Sequence, residues 1–289
     1  MAVGKTIWTY FEGKWHEGDL AVMKAADHGM WLGTLVFDGA RAFEGLVPDL
    51  EAHLKRVNAS AEIMGLKPTH SVANLTKITL EGLRLLGRDR PVYIRPMYWS
   101  VSGGPGVVVA DPNSTAFSLC LEELAMAPAT ASQTLTTTRF TRPTLTTALV
   151  NAKAACLYPN NGRMLREAQG KGFNNALVLD PLGNVAETAT ANIFMVKDGV
   201  VFTPVPNGTF LNGITRQRVI RLLRGQGVEV REVTLSLDDF RAADEIFMSG
   251  NISKVTPVTK FDDTTYDIGP VAARARALYW DWARTDQKV

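Results

Sequence analysis

Cysteine is nearly absent from this chain: Cys120 and Cys156 are the only two in 289 residues. Thiols so few and so isolated exclude a secreted disulfide scaffold and a cysteine-rich metal site. An excess of charge of one sign is missing too. Lys and Arg number 31 against 29 Asp and Glu, the formal net charge is +2, and no basic block stands out. That removes the electrostatic reason to expect nucleic acid or an anionic membrane as a partner. No apolar run reaches the length that spans a bilayer. The opening residues 1–13, MAVGKTIWTYFEG, contain no cleavable apolar segment and read as mature protein. His16, His28, His53 and His70 are scattered without ligand spacing, so no metal is expected. Gly-x-Ser-x-Gly, the phosphate-binding Gly-x-x-x-x-Gly-Lys and a dinucleotide-type Gly-x-Gly-x-x-Gly after a strand are all missing. What remains is a 46% hydrophobic chain, able to fill one large or two ordinary domains. It reads as a soluble, cytoplasmic enzyme or binding protein.

Local patterns divide it. Residues 6–15 suggest an aromatic-rich hairpin, and residues 34–44 a strand pair broken at Asp38-Gly39. Leu50, Leu54, Val57, Ala61 and Met64 recur with helical spacing; residues 73–87 repeat this less cleanly. Residues 92–99 and 115–122 read as strands. The small, polar run 123–134 has the composition of a linker, so the expected division is a domain at 1–123, a linker at 124–134 and a domain at 135–289. In the second part, helices are expected at 161–172, 214–225 and 270–284, the last with Val271, Ala275, Leu278 and Trp282 on one face. Strands are expected at 175–180, 191–197, in GVEVREVTL and in DEIFMSG, with a hairpin turn at Asp198-Gly199. The fold class implied is α+β: two α/β domains, the N-terminal one smaller, on mixed or antiparallel sheets, because strands arrive as hairpins rather than in strict βαβ alternation.

Several residues suggest chemistry. In Asn212-Gly213-Ile214-Thr215-Arg216 a glycine precedes a helix, whose first N–H groups and positive dipole end suit a phosphate; the same residues also fit an ordinary loop-to-helix junction. Lys153 has small apolar neighbours, which favour an uncharged, nucleophilic amine, yet a surface lysine with its stem along apolar residues reads the same way. Glu187 lies between apolar strands and, if buried, needs a positive partner. Arg56 can reach an anion from its helix or stay solvated on its face. Tyr93 and Arg95 alternate on a strand and share a face, suited to a carboxylate or to plain packing.

The order of these segments is more specific than any one of them. FDGARAFEG (37–45), HLKR (53–56), YIRP (93–96), NAKAACLY (151–158), ALVLDPLGNVAETATANIFMVKDG (176–199), FTP (202–204), LNGITR (211–216) and DEIFMSGNISKVTPV (244–258) together resemble the branched-chain aminotransferases, of the fold-type IV pyridoxal-phosphate enzymes. The resemblance runs through nearly the whole chain. It implies pyridoxal 5'-phosphate as cofactor, held by Lys153 as a Schiff base, with Lys153 also shuttling the proton. It matches Glu187 to the partner of the ring nitrogen, Tyr158 to the partner of the ring's phenolic oxygen, and Arg56 to a phosphate ligand. Gly213, Ile214 and Thr215 match the phosphate cradle, Leu211 the residue packing on the ring, and Asn251 a phosphate or substrate contact. Leu32, Phe37, Arg41, Tyr93, Arg95, Asn251 and Ile252 are the implied substrate-facing positions. Implied too are a homodimer and ping-pong transfer of an amino group between an apolar, branched-chain-type amino acid and a 2-oxo acid such as 2-oxoglutarate.

Two positions depart from the family pattern. Leu32 stands where a tyrosine is usual, and Asn251 where a threonine is usual. The more apolar wall at Leu32 keeps (R)-selective amine and D-amino-acid transamination open. A 4-amino-4-deoxychorismate lyase would use the same lysine, and a non-catalytic phosphate-binding module would not need it.

Overall fold

The computed structural model describes residues 6–286 and 288–289; the first five residues of the segment read as a mature N-terminus lie outside the described residues. By its internal contacts the chain forms two units. The first comprises Met1–Met126, Asn151–Cys156 and Ala283–Val289, the second Ala127–Val150 and Leu157–Trp282. Lys153 falls in the first.

The first unit contains β1 (Ile7–Phe11), β2 (Lys14–Glu17), α1 (His28–Trp31), β3 (Leu35–Phe37), β4 (Ala40–Ala42), α2 (Leu50–Ile63), α3 (Val72–Leu86), β5 (Val92–Ser100) and β6 (Thr115–Glu123). The turn joining β1 and β2 puts Glu12 and Gly13 at φ +49° and +84°, the twist that a tight hairpin requires. The sheet runs β2-β1-β6-β5-β3, with β4 also on β5, and every pair is antiparallel. Residues 34–44 therefore form no hairpin: β3 and β4 lie in line along β5. Between their pairings β5 carries Pro96, which has no N–H to offer, and its carbonyl accepts from Asp38 N at 3.0 Å. The Asp38 side chain there has no solvent exposure. Leu50, Leu54, Val57 and Ala61 of α2 are buried, as their spacing predicts, and Met64 packs at the margin of the same core.

The second unit contains β7 (Gln133–Thr141), α4 (Tyr158–Gly170), β8 (Asn175–Leu179), β9 (Val185–Thr188), β10 (Asn192–Lys197), β11 (Val200–Pro204), α5 (Ile214–Gly225), β12 (Val230–Val233), α6 (Leu237–Arg241), β13 (Glu245–Gly250), β14 (Lys254–Phe261), β15 (Thr264–Thr265) and α7 (Pro270–Ala283). Its sheet runs β12-β11-β10-β13-β14-β7-β8-β9, with β15 on β14. The β11·β12, β14·β7 and β7·β8 pairs are parallel, so this sheet is mixed. Strand β7 is absent from the sequence reading because QTLTTTRFT is threonine-rich and lacks apolar alternation. The buried stripe of α7 is Ala272, Ala275, Tyr279 and Ala283, not the expected one; Val271, Leu278 and Trp282 are half-buried. Small alanines on that stripe let the helix backbone approach closely while its larger side chains cover the edges.

Glu245 fixes the start of α7. Its carboxylate accepts from Val271 N at 3.1 Å and Ala272 N at 2.9 Å, and a Cβ on Gly269 would lie 1.8 Å from its Cδ. A charged acceptor on two N-terminal amides caps the helix and complements its dipole. Replacing Glu245 by Ala is expected to lower unfolding free energy by about 2 kcal/mol, measured by urea denaturation.

Candidate active site

In the first unit, the backbone of Lys153 is pinned from two sides. Its carbonyl accepts from Phe37 N at 3.1 Å, and its N–H donates to Ser60 Oγ at 3.1 Å. Ala152 and Ala154 are fully buried, and Ala154 bridges to Val36. Small neighbours are needed there because the loop lies against β3 and α2. The lysine amine ends 4.8 Å from the centroid of the Phe37 ring, an apolar, electron-rich surface that attracts a cation.

Arg56 lies four residues before Ser60 on α2, on the same helix face. Its Nε and Nη2 donate to the two Asp38 oxygens at 2.6 and 2.8 Å, and His53 Nδ1 meets Asp38 Oδ1 at 2.7 Å. Burial alone would raise the Asp38 pKa. The Arg56 guanidinium and His53 outweigh it and hold the carboxyl well below the usual range. Arg56 is thus aimed by a bidentate partner that is itself immobile.

Arg41 sits opposite Tyr93 across the β4·β5 ladder. It is fully buried, Nη2 donates to the Leu124 carbonyl, and Nε and Nη1 have no hydrogen-bond partner among the described residues. Burial pushes its pKa down to about 10, against the opposing pull of Tyr93 and Glu122. Arg95 stacks 5.6 Å from the Tyr93 ring, as strand alternation requires, and contacts Glu122 at 3.5 Å and Cys120 Sγ at 3.4 Å. Leu32 ends α1, 37% exposed.

In the second unit, Glu187 has the cationic partner its burial calls for. Arg142 Nη2 lies 3.1 Å from Glu187 Oε1, with side-chain exposures of 9% and 13%. Arg142 also donates to Asn161 Oδ1 and to the Thr188 carbonyl, each at 2.6 Å. Asn192 Nδ2 donates to Glu187 Oε2 at 3.2 Å and to the Leu211 carbonyl at 3.0 Å. One side chain thereby joins the acid to the turn that opens α5. That turn approaches so closely that a Cβ on Gly213 would lie 2.1 Å from Asn192 Oδ1. Arg216, fully buried, braces the turn from behind through Asn212 Oδ1 and the Pro204 carbonyl, both at 2.8 Å, and Glu232 at 3.0 Å.

No side chain caps α5, so the first-turn N–H groups, at Ile214 and Thr215, face an anion-compatible end. Ser249 Oγ and Asn251 Nδ2, at the end of β13 and just beyond it, are buried without hydrogen-bond partners among the described residues. Tyr158 begins α4, 38% exposed, and Ile252 is 37% exposed. Among the described residues, no group of three or more His, Cys, Asp or Glu is placed to hold a metal.

Sequence reasoning missed Arg142, Asn192 and Asp38. The one available signal is that Glu187, flanked by apolar strands, needs a cation; nothing in the sequence says which one.

The Asp38 cluster has a pH signature. Its folded-state pKa is depressed, so the folded state binds fewer protons than the unfolded chain. Stability from this group is present above its unfolded pKa of about 3.9 and is lost as pH falls below it. Asp38→Ala is expected to cost about 3 kcal/mol at neutral pH and to flatten the acid limb, read from urea midpoints at descending pH.

Residues 35–261 match the family described as amino-transferase class IV. The chain is 58% identical to an aminotransferase from Brucella abortus whose crystal structure is bound to the co-factor PLP, with a TM-score of 0.95 over 97% of this chain and all of that one. It is 32% identical to a probable branched-chain-amino-acid aminotransferase of Rickettsia bellii, over 84% of this chain and 83% of the relative. Identity to the branched-chain-amino-acid aminotransferase of Escherichia coli K12 is 30%, over 97% of this chain and 94% of that protein. The chain belongs to the class IV aminotransferases.

Proposed function

We propose that the protein is a pyridoxal-phosphate-dependent transaminase of the branched-chain type, moving an amino group by a ping-pong mechanism between an apolar amino acid and a 2-oxo acid such as 2-oxoglutarate. The observation that carries this is the Glu187 carboxylate, neutralised by Arg142 and tied through Asn192 to the uncapped start of α5. A fixed anion suits a protonated ring nitrogen, and a helix start that no described side chain caps suits a phosphate. The residues present fit the cofactor on their own chemistry: a lysine on a backbone held from two sides, a carboxylate paired with Arg142, an arginine aimed by Asp38, and buried donors at Ser249 and Asn251.

When bound, pyridoxal phosphate supplies an electron sink that stabilises negative charge at the substrate Cα. Lys153 would supply the amine that holds its aldehyde and the base that takes and returns the Cα proton. Glu187 would hold the ring nitrogen's proton, with Arg142 paired to the carboxylate and Asn192 directing it. Arg56, Gly213, Ile214, Thr215 and Asn251 would hold the phosphate, Leu211 would pack on the ring, and Tyr158 would donate to its phenolic oxygen. Arg41, Tyr93 and Arg95 read the substrate's carboxylate, and Leu32, Phe37 and Ile252 its apolar side. The relatives' names favour branched-chain substrates. They lend no support to the (R)-amine, D-amino-acid or lyase readings.

A homodimer belongs to the same proposal. Met30, Trp31, Val107, Val108 and Val109 are 56–74% exposed in the first unit, and His28 Nε2 lies 2.8 Å from the Val107 carbonyl, joining the two segments. An apolar patch of this kind suits a subunit interface. Among the described residues no helix is long and apolar enough to cross a membrane, and the free thiols Cys120 and Cys156 support a reducing, cytoplasmic setting.

The purified protein is expected to absorb near the visible edge and to lose that band in Lys153→Ala. Single half-reactions should rank L-leucine and L-glutamate above D-alanine and (R)-1-phenylethylamine; the reverse order would reassign the substrate. Glu187→Gln should slow the L-leucine half-reaction about a hundredfold, followed by stopped-flow absorbance.

A further inference from the structure

The hairpin joining β13 and β14 holds a lysine in an uncommon setting. Lys254 is 1% exposed, and its backbone is left-handed at φ +61°. It pairs with Gly250 across the loop Asn251, Ile252 and Ser253, and the left-handed place in such a hairpin ordinarily goes to glycine. Lysine is almost never fully buried unless paired. Here Nζ donates to Asn251 Oδ1 at 2.8 Å and lies 5.6 Å from the Tyr279 ring centroid.

That contact settles which way the Asn251 amide points. An ammonium has donors and no acceptor, so the atom meeting it is the amide oxygen, and Nδ2 is turned away from it. Nδ2 is buried without a hydrogen-bond partner, and so is the hydroxyl of Ser249, a residue only 1% exposed. Ser249 stands directly opposite Asn192 in the β10·β13 ladder, and residues so paired put their side chains on one face. Asn192 uses that face to reach the Leu211 carbonyl and to abut Gly213. Gly250 in turn lies against Ala191: a Cβ there would be 3.3 Å from the alanine's Cβ. The two unsatisfied donors therefore sit beside the turn that opens α5. Buried donors without acceptors are costly, and an anion on that turn would satisfy them.

We propose that Lys254 is a positioning residue: it locks the Asn251 amide so that Nδ2 donates to the cofactor's phosphate at the start of α5, with Ser249 Oγ as a neighbouring donor. This rests on the pyridoxal-phosphate reading above. It also accounts for an asparagine in place of the family's usual threonine. A free asparagine amide can present either end to an anion, whereas a buried ammonium on its oxygen leaves only the donor end.

The test titrates apoprotein with pyridoxal 5'-phosphate and with pyridoxal, which lacks the phosphate, following tryptophan fluorescence. Lys254→Met is expected to weaken pyridoxal phosphate binding about tenfold and to leave pyridoxal binding unchanged. Asn251→Ala should do the same, and the double variant should lose little more than either single one. Lys254→Gly, which suits the left-handed backbone, should reproduce the phosphate-specific loss without loss of thermal stability and so serves if the methionine variant fails to fold. Equal weakening for both ligands, no weakening, or a full Lys254→Met loss persisting in the Asn251→Ala background overturns the positioning role while leaving the transaminase reading intact. Wild-type protein that takes up neither ligand overturns both.

Discussion

The second unit's site depends on one ion pair, Arg142 with Glu187. Both side chains are largely out of water, where an uncompensated carboxylate would take up a proton or unfold its surroundings. The guanidinium 3.1 Å away supplies that compensation. Arg142 is in turn held by Asn161 from α4 and by the Thr188 carbonyl from β9, so the pair's direction is set by two elements of the fold. Asn192 completes the arrangement, because its amide spans from the carboxylate to the Leu211 carbonyl. Charge and cradle are fixed relative to one another by a single side chain, and Gly213 exists because that side chain leaves no room for a Cβ.

The first unit solves a similar problem in the same way. Asp38 is buried, ionised by Arg56 and His53, and placed between β3 and β4, where its N–H donates to the Pro96 carbonyl. Helix α2 carries His53, Arg56 and Ser60 at successive turns, so one rigid element sets the Arg56 guanidinium and the Lys153 backbone together. A bidentate aspartate orients the arginine in its plane, which a solvated arginine on the same helix face would lack.

Much of the fold is legible in the sequence. The Glu12-Gly13 and Asp198-Gly199 hairpins follow from turn chemistry, the spacing of Leu50, Leu54, Val57 and Ala61 gives α2, and the limits of α5 come from Gly213 and the apolar period. Strand β7 escapes because its stability comes from parallel neighbours β14 and β8 on either side, not from its own pattern. The inline arrangement of β3 and β4 escapes because the strand they share, β5, lies far downstream. Lys153, Glu187 and the LNGITR turn are legible through the ordered resemblance. Their supports are not, since Arg142, Asn192 and Lys254 act through contacts that no local spacing encodes. A buried carboxylate announces that it needs a cation, but the identity of that cation is a property of the fold.

The most direct test of this account is the nitrogen-15 chemical shift of the ring nitrogen in protein loaded with labelled pyridoxal phosphate. The account predicts a protonated pyridine nitrogen in the wild type near neutral pH and loss of that protonation in both Glu187→Gln and Arg142→Gln. An unprotonated nitrogen in the wild type, or one indifferent to both substitutions, would contradict it.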